Sequence, residues 1–66
     1  MKNSLKTLRV KKGVTQQELA DSLSVSRQTI IAIESGRFNP STKLALKMSA
    51  FLGCTIHDIF VLEGTD

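Results

Sequence analysis

The chain has 66 residues, 41% of them apolar, with three Phe and neither Trp nor Tyr; that is room for one small domain (1–66) with a modest core, which self-association would help to stabilise. The lone cysteine, Cys54, excludes an internal disulfide, and with no apolar run near the roughly 20 residues that span a bilayer and no apolar stretch behind the basic start, the expectation is a cytoplasmic protein without membrane contact. Nine Lys/Arg against six Asp/Glu give +3, but unevenly: residues 1–47 hold every base and carry +6, whereas residues 48–66 carry −3, a distribution that suits a polyanionic partner for the first two thirds of the chain.

Gly13, Gly36, Pro40, Gly53 and Gly64 cut the chain into pieces the length of short helices, leaving no space for a strand-helix-strand unit. Residues 4–12 are the first expected helix: Leu5 and Leu8 stand at helical spacing, Lys6, Arg9, Lys11 and Lys12 surround them, and Gly13 supplies the stop. For Arg9, Lys11 and Lys12 a solvated basic face and a general electrostatic role are both open. Thr15-Gln16-Gln17-Glu18 has the pattern of a capping box and starts a second helix, with Leu19, Ala20 and Leu23 inward. That helix ends soon, since Ser22, Ser24 and Ser26 each compete for nearby backbone.

Ser26 is an N-cap for a third helix over 27–35, in which Ile30 and Ile33 face inward and Gly36 takes the left-handed position past the end. Ser41 caps a fourth helix that runs to Leu52 with Leu44, Ala45, Met48 and Leu52 on one stripe; Met48 and Phe51 are assigned to the core. Thr55-Ile56-His57-Asp58 repeats the capping pattern for a short fifth helix. The apolar run Phe60-Val61-Leu62 then suits a strand or a docking segment, and Met1 to Asn3 is expected to pair with it as a short two-stranded sheet.

The fold class is therefore all-α with five helices, the second and third joined by a tight turn, as a helix-turn-helix over about residues 16–35 requires. Ala20 is small where the two helices must cross closely, and Leu19, Leu23, Val25, Ile30 and Ile33 fill the space around the crossing. The quoted stretches Val14-Thr15-Gln16-Gln17-Glu18-Leu19-Ala20, Val25-Ser26-Arg27-Gln28-Thr29-Ile30, Ile33-Glu34-Ser35-Gly36-Arg37, Asn39-Pro40-Ser41 and Leu44-Ala45-Leu46-Lys47-Met48 resemble the XRE/Cro/CI helix-turn-helix transcriptional regulators over essentially the whole chain. The short length and the ending Asp58-Ile59-Phe60 are similar to the minimal stand-alone subgroup. One position departs from the pattern: Ser24 stands where the turn commonly carries Gly, at a cost of roughly 1 kcal/mol in the left-handed region.

The resemblance implies a compact lambda-repressor-like domain that binds double-stranded DNA, as a homodimer on an inverted-repeat operator and as a repressor. It places the third helix in the major groove with Arg27 and Gln28 as base readers, since Arg matches guanine O6 and N7 and Gln matches adenine N6 and N7. Ile31 and Ala32 fall on the same side, Ile31 within reach of a thymine methyl. Gln16 matches the family position that bonds a phosphate and supports the first base reader, and Thr15, Ser26, Thr29, Arg37 and Asn39 are the further phosphate candidates. Capping alone also explains Thr15 and Ser26. Glu34 is structural in this reading, because a carboxylate beside phosphate is repelled. Phe38 and the run Phe60, Val61, Leu62 are the candidates for the subunit contact.

Enzymatic chemistry has little support: there is no Gly-rich phosphate loop and no inward cluster of carboxylates. Cys54 and His57 could supply two metal ligands, whereas a closed zinc site needs four, so no metal or other cofactor is expected. The rival reading from another class is a protein-interaction module, an antitoxin or anti-repressor with a second protein as partner. Arg27 and Gln28 at the start of the third helix favour DNA over that rival.

Overall fold

Hydroxyl caps set the starts of the four helices after the first. In the computed structural model, which describes residues 2–64, the elements run β1 (Lys2–Asn3), α1 (Leu5–Lys12), α2 (Gln16–Leu23), α3 (Arg27–Glu34), α4 (Thr42–Leu52), α5 (Ile56–Ile59) and β2 (Phe60–Val61). The Thr15 hydroxyl accepts from the Glu18 amide at 3.0 Å while the Glu18 carboxylate accepts from the Thr15 amide at 2.9 Å, so the expected capping box is formed. Ser26 and Ser41 cap α3 and α4 through the amides of Thr29 and Leu44, each at 3.2 Å. Thr55 and Asp58 form a second reciprocal box on α5, and its hydrogen bonds hold the Asp58 carboxyl below the usual carboxylate range. The third helix closes one residue before its expected end: Ser35 caps it and Gly36 turns left-handed at φ 80°.

α2 packs chiefly on α3, α4 crosses α2, and α1 lies against α3 and α4. Leu19, Ala20 and Leu23 of α2 meet Ile30 and Ile33 of α3 and Met48 of α4 in the core, with Leu19, Ala20, Ile30, Ile33 and Met48 at 0% exposure. Ala20 leaves no side chain to hold the two helix backbones apart, and each fully buried Leu, Ile or Met stabilises the fold by about 1.5 to 3 kcal/mol. Phe51, assigned with Met48 to the core, is only half-buried; Lys12 lies 5.1 Å above its ring and occupies the side that the core leaves open.

The ends of the chain close on one another. β1 and β2 pair antiparallel with Lys2 opposite Val61 and Asn3 opposite Phe60, and the Ser4 amide continues the contact by donating to the Ile59 carbonyl at 2.7 Å. Met1, expected to share in this pairing, lies outside the described residues. Side chains alternate across a strand: Phe60 points inward, is 7% exposed and belongs to the core of the single chain, while Val61 is 54% exposed. Phe60 is therefore a core residue, and the exposed apolar surface at this end is that of Val61 and Leu62.

The α2–α3 turn carries the strain expected of it. Ser24 has φ 59° and ψ 41° and is the one non-glycine residue with positive φ among those described; α1 and α4 end on Gly13 and Gly53 in the same conformation. Replacing Ser24 by Gly removes the Cβ clash but loosens the unfolded chain. The Ser24→Gly variant should gain about 0.5 to 1 kcal/mol, a rise in Tm of roughly 3 to 6 °C by calorimetry, and an unchanged or lower Tm would show that the serine fits this turn without strain.

Candidate nucleic-acid interface

Helix α3 divides its residues by period. Ile30 and Ile33 are buried against α2 and the core, whereas Arg27 and Gln28, its first two residues, are exposed. Ile31 and Ala32 follow one helical turn after Arg27 and Gln28, so the four share one outward stripe. They are not equally accessible: Ile31 and Ala32 are half-buried. The Ala32 carbonyl is also occupied, accepting from the Ser35 hydroxyl at 2.9 Å and from the Arg37 and Phe38 amides at 3.0 and 3.2 Å.

Beside the start of α3 lies the start of α2. Gln16, Thr15 and Gln17 line an open groove of about 450 Å³ together with Arg27 and Arg9, so two of the residues expected to touch phosphate, Thr15 and Gln16, share one surface with one expected base reader. Free amides at a helix N-terminus favour an anion there. Thr15, Ser26 and Thr29 spend hydroxyl capacity locally: Thr15 on its capping box, and Ser26 and Thr29 on each other at 2.9 Å. Arg37 stands just past α3, exposed, with its Nε donating to the Ser35 hydroxyl at 3.1 Å and its terminal nitrogens outward-facing candidates for phosphate. Asn39 is exposed in the loop that follows, and so is Phe38 at 49%.

Arg9 is the residue that charge and sequence position misplace. Neither solvated nor part of a general basic face, its side chain is 10% exposed and bonds Glu34, itself 5% exposed, at 2.6 Å through Nε. Arg9 Nη2 reaches the other Glu34 oxygen at 3.4 Å, Nη1 donates to the Val14 carbonyl at 2.8 Å, and Gln16 Nε2 donates to Glu34 Oε1 at 3.1 Å. Glu34 is thus structural, as expected, but its partners were not foreseen. Asn3 also escaped the reading of the sequence: its side-chain amide donates to the Ile33 carbonyl at 2.8 Å and its Oδ1 accepts from the Leu5 amide at 3.2 Å, so β1 holds the end of α3 to the start of α1.

Two features stand away from this face. Val61 and Leu62, the latter 77% exposed, border with Ile56, His57 and Phe60 a largely apolar groove of about 360 Å³. Cys54 is half-buried, with its thiol pushed up by burial and by the Asp58 charge. Among the described residues no three His, Cys, Asp or Glu side chains converge on a metal-sized site, and no helix is long and apolar enough to cross a membrane.

A helix, a turn through one left-handed residue, and a second helix whose polar start is exposed beside the N-terminus of the first together define a helix-turn-helix DNA-binding protein. Residues 5–59 match the helix-turn-helix family model, and the chain belongs to that family, as an XRE/Cro-type transcription regulator. It is 56% identical over 66 residues to an uncharacterised HTH-type transcriptional regulator of Methanocaldococcus jannaschii, covering 100% of both chains. Its fold superimposes with a TM-score of 0.77 on the restriction-modification controller protein C.AhdI from Aeromonas hydrophila, at 30% identity over 85% of each chain. With the clp gene regulator ClgR from Corynebacterium glutamicum the TM-score is 0.76 at 35% identity; there the match covers 82% of this chain but 57% of the other.

Proposed function

We propose that the chain is a sequence-specific repressor that binds an inverted-repeat operator as a homodimer, working in the cytoplasm where its DNA is and performing no reaction, with residues 1–66 as one helix-turn-helix domain. The observation that carries this reading is the exposure of Arg27 and Gln28 at the start of α3, with Arg27 on the surface that it shares with the start of α2. In that position Arg27 and Gln28 read base edges, Ile31 and Ala32 lie along the groove wall, and Gln16, Thr15, Ser26, Thr29, Arg37 and Asn39 fix the register on phosphate.

Size supports two copies. The chain measures 32 × 22 × 20 Å and carries one α3, whereas successive major grooves on one face of a duplex are about 34 Å apart. Two-fold symmetry would set one α3 in each of two grooves and require half-sites in inverted order. The exposed apolar pair Val61 and Leu62, with the groove beside them, suits the seam between the copies, and exposed Phe38 is a further candidate. Repression then follows from occupancy of a promoter.

Two substitutions separate reading from anchoring. Arg27→Ala should relax preference at one base pair, at a cost of about 1 to 3 kcal/mol for the favoured sequence, while Arg37→Ala should weaken all sequences equally and lower the salt slope by about one unit. Uniform loss in both variants would remove Arg27 as a reader. For the seam, Leu62→Asp should lower the mass by light scattering from dimer toward monomer with helicity intact; Phe60→Asp is unsuited to the purpose because it charges the core. An unchanged mass in Leu62→Asp would place the seam elsewhere.

A further inference from the structure

Gln16 and Glu34 are separated by 18 positions in the chain and joined by a side-chain hydrogen bond of 3.1 Å at the edge of the groove that Gln16 shares with Arg27. A carboxylate only accepts, so the Gln16 amide must meet Glu34 with its Nε2 and never with its Oε1. Glu34 is itself held: Arg9 grips its second oxygen at 2.6 Å, and Arg9 is anchored in turn on the Val14 carbonyl at 2.8 Å. The orientation of the Gln16 amide is therefore decided by charge at a site nine-tenths buried, and one Nε2 hydrogen and the Oε1 lone pairs remain for a ligand in the groove.

From this we infer that Glu34 is a positioning residue for DNA binding, one that orients the Gln16 amide so that its free N–H meets a phosphate while its Oε1 accepts from Arg27 and steers that side chain toward the bases. The inference rests on the reading of Gln16 and Arg27 as DNA contacts. Glu34 itself touches no DNA, since a carboxylate against phosphate is repelled. Its effect on DNA passes through Gln16, in addition to the buried pair that it makes with Arg9.

In Glu34→Gln, Arg9 keeps its claim on an oxygen, because a guanidinium only donates. The new amide nitrogen is then left facing Gln16, whose own amide must reverse and turn Oε1 inward. A double-mutant cycle reads this out on a mixed-sequence duplex at low salt, with folding of each variant followed by circular dichroism. Gln16→Ala and Glu34→Gln should each weaken binding about tenfold, the scale of one hydrogen bond to a charged group, and the double variant should be no weaker than either. Losses that multiply to about a hundredfold would make Glu34 a scaffold residue and overturn the inference. Proton NMR of the unmodified protein checks the orientation without DNA or mutation: one Gln16 side-chain hydrogen should lie downfield and exchange slowly compared with those of exposed Gln28. Equivalent signals overturn the inference whatever DNA does, whereas a protected Gln16 hydrogen with full affinity in Gln16→Ala overturns both the inference and the DNA role of Gln16.

Discussion

The contact between Arg9 and Glu34 is the constraint on which the binding face depends. Apolar packing of α2 on α3 brings the helices together but is non-directional, and it leaves small rotations of α3 inexpensive. The buried pair, bonded at 2.6 Å, is directional and ties four places together: α1 through Arg9, the turn after it through the Val14 carbonyl, the start of α2 through Gln16, and the end of α3 through Glu34 itself. Taking two charges out of water is expensive, so such a pair adds little to net stability; removing one partner, however, costs about 3 to 5 kcal/mol because the other is left buried and alone. What it contributes is a fixed geometry for the end of α3 and the start of α2.

The far side of α3 is held by a second device of the same kind. Asn3 carries the terminal sheet onto the Ile33 carbonyl and the Leu5 amide, so the last turn of α3 is clamped by Glu34 on one flank and by β1 on the other. Its first turn is held by the Ser26 cap and by the buried Ile30, with the strained Ser24 before it. The recognition face thus combines a rigid base with an exposed start, where Arg27 and Gln28 keep the freedom to meet a ligand. Exposed Val61 belongs to the strand that completes the sheet and Leu62 follows it directly, so a copy docking there would press on the clamp.

Local signals were legible in the sequence and long-range ones were not. Thr15 with Glu18, Ser26, Ser41 and Thr55 with Asp58 act within one helical turn, and the helices start where those residues say. The left-handed turn at Ser24 was legible through the resemblance, because it stands where the family commonly carries Gly. Charge misled at Arg9, because basic residues on a basic helix read as surface; the contrary signal was its place four residues after Leu5, on the buried stripe. At Phe60 and Val61 an apolar run concealed which side chain pointed inward, and only pairing with β1 decides that. The bonds from Asn3 to Ile33 and from Gln16 to Glu34 span 30 and 18 residues, join polar groups of common types, and leave no periodic trace. On the candidate face, the positions of Arg27 and Gln28 followed from the cap at Ser26, whereas what orients Gln16 required the fold.

Asn3, Glu34 and the Ser26 cap all bear on α3, and the proposed dimer doubles that helix on a two-fold axis. The most direct test is selection from a randomised duplex pool with the purified protein, followed by sequencing of the retained DNA. An enriched inverted repeat whose half-site centres lie about one helical turn apart is the expected result. A flat pool, with retention that fades uniformly as salt rises, would contradict specific dimeric recognition and reduce the interaction to phosphate attraction alone.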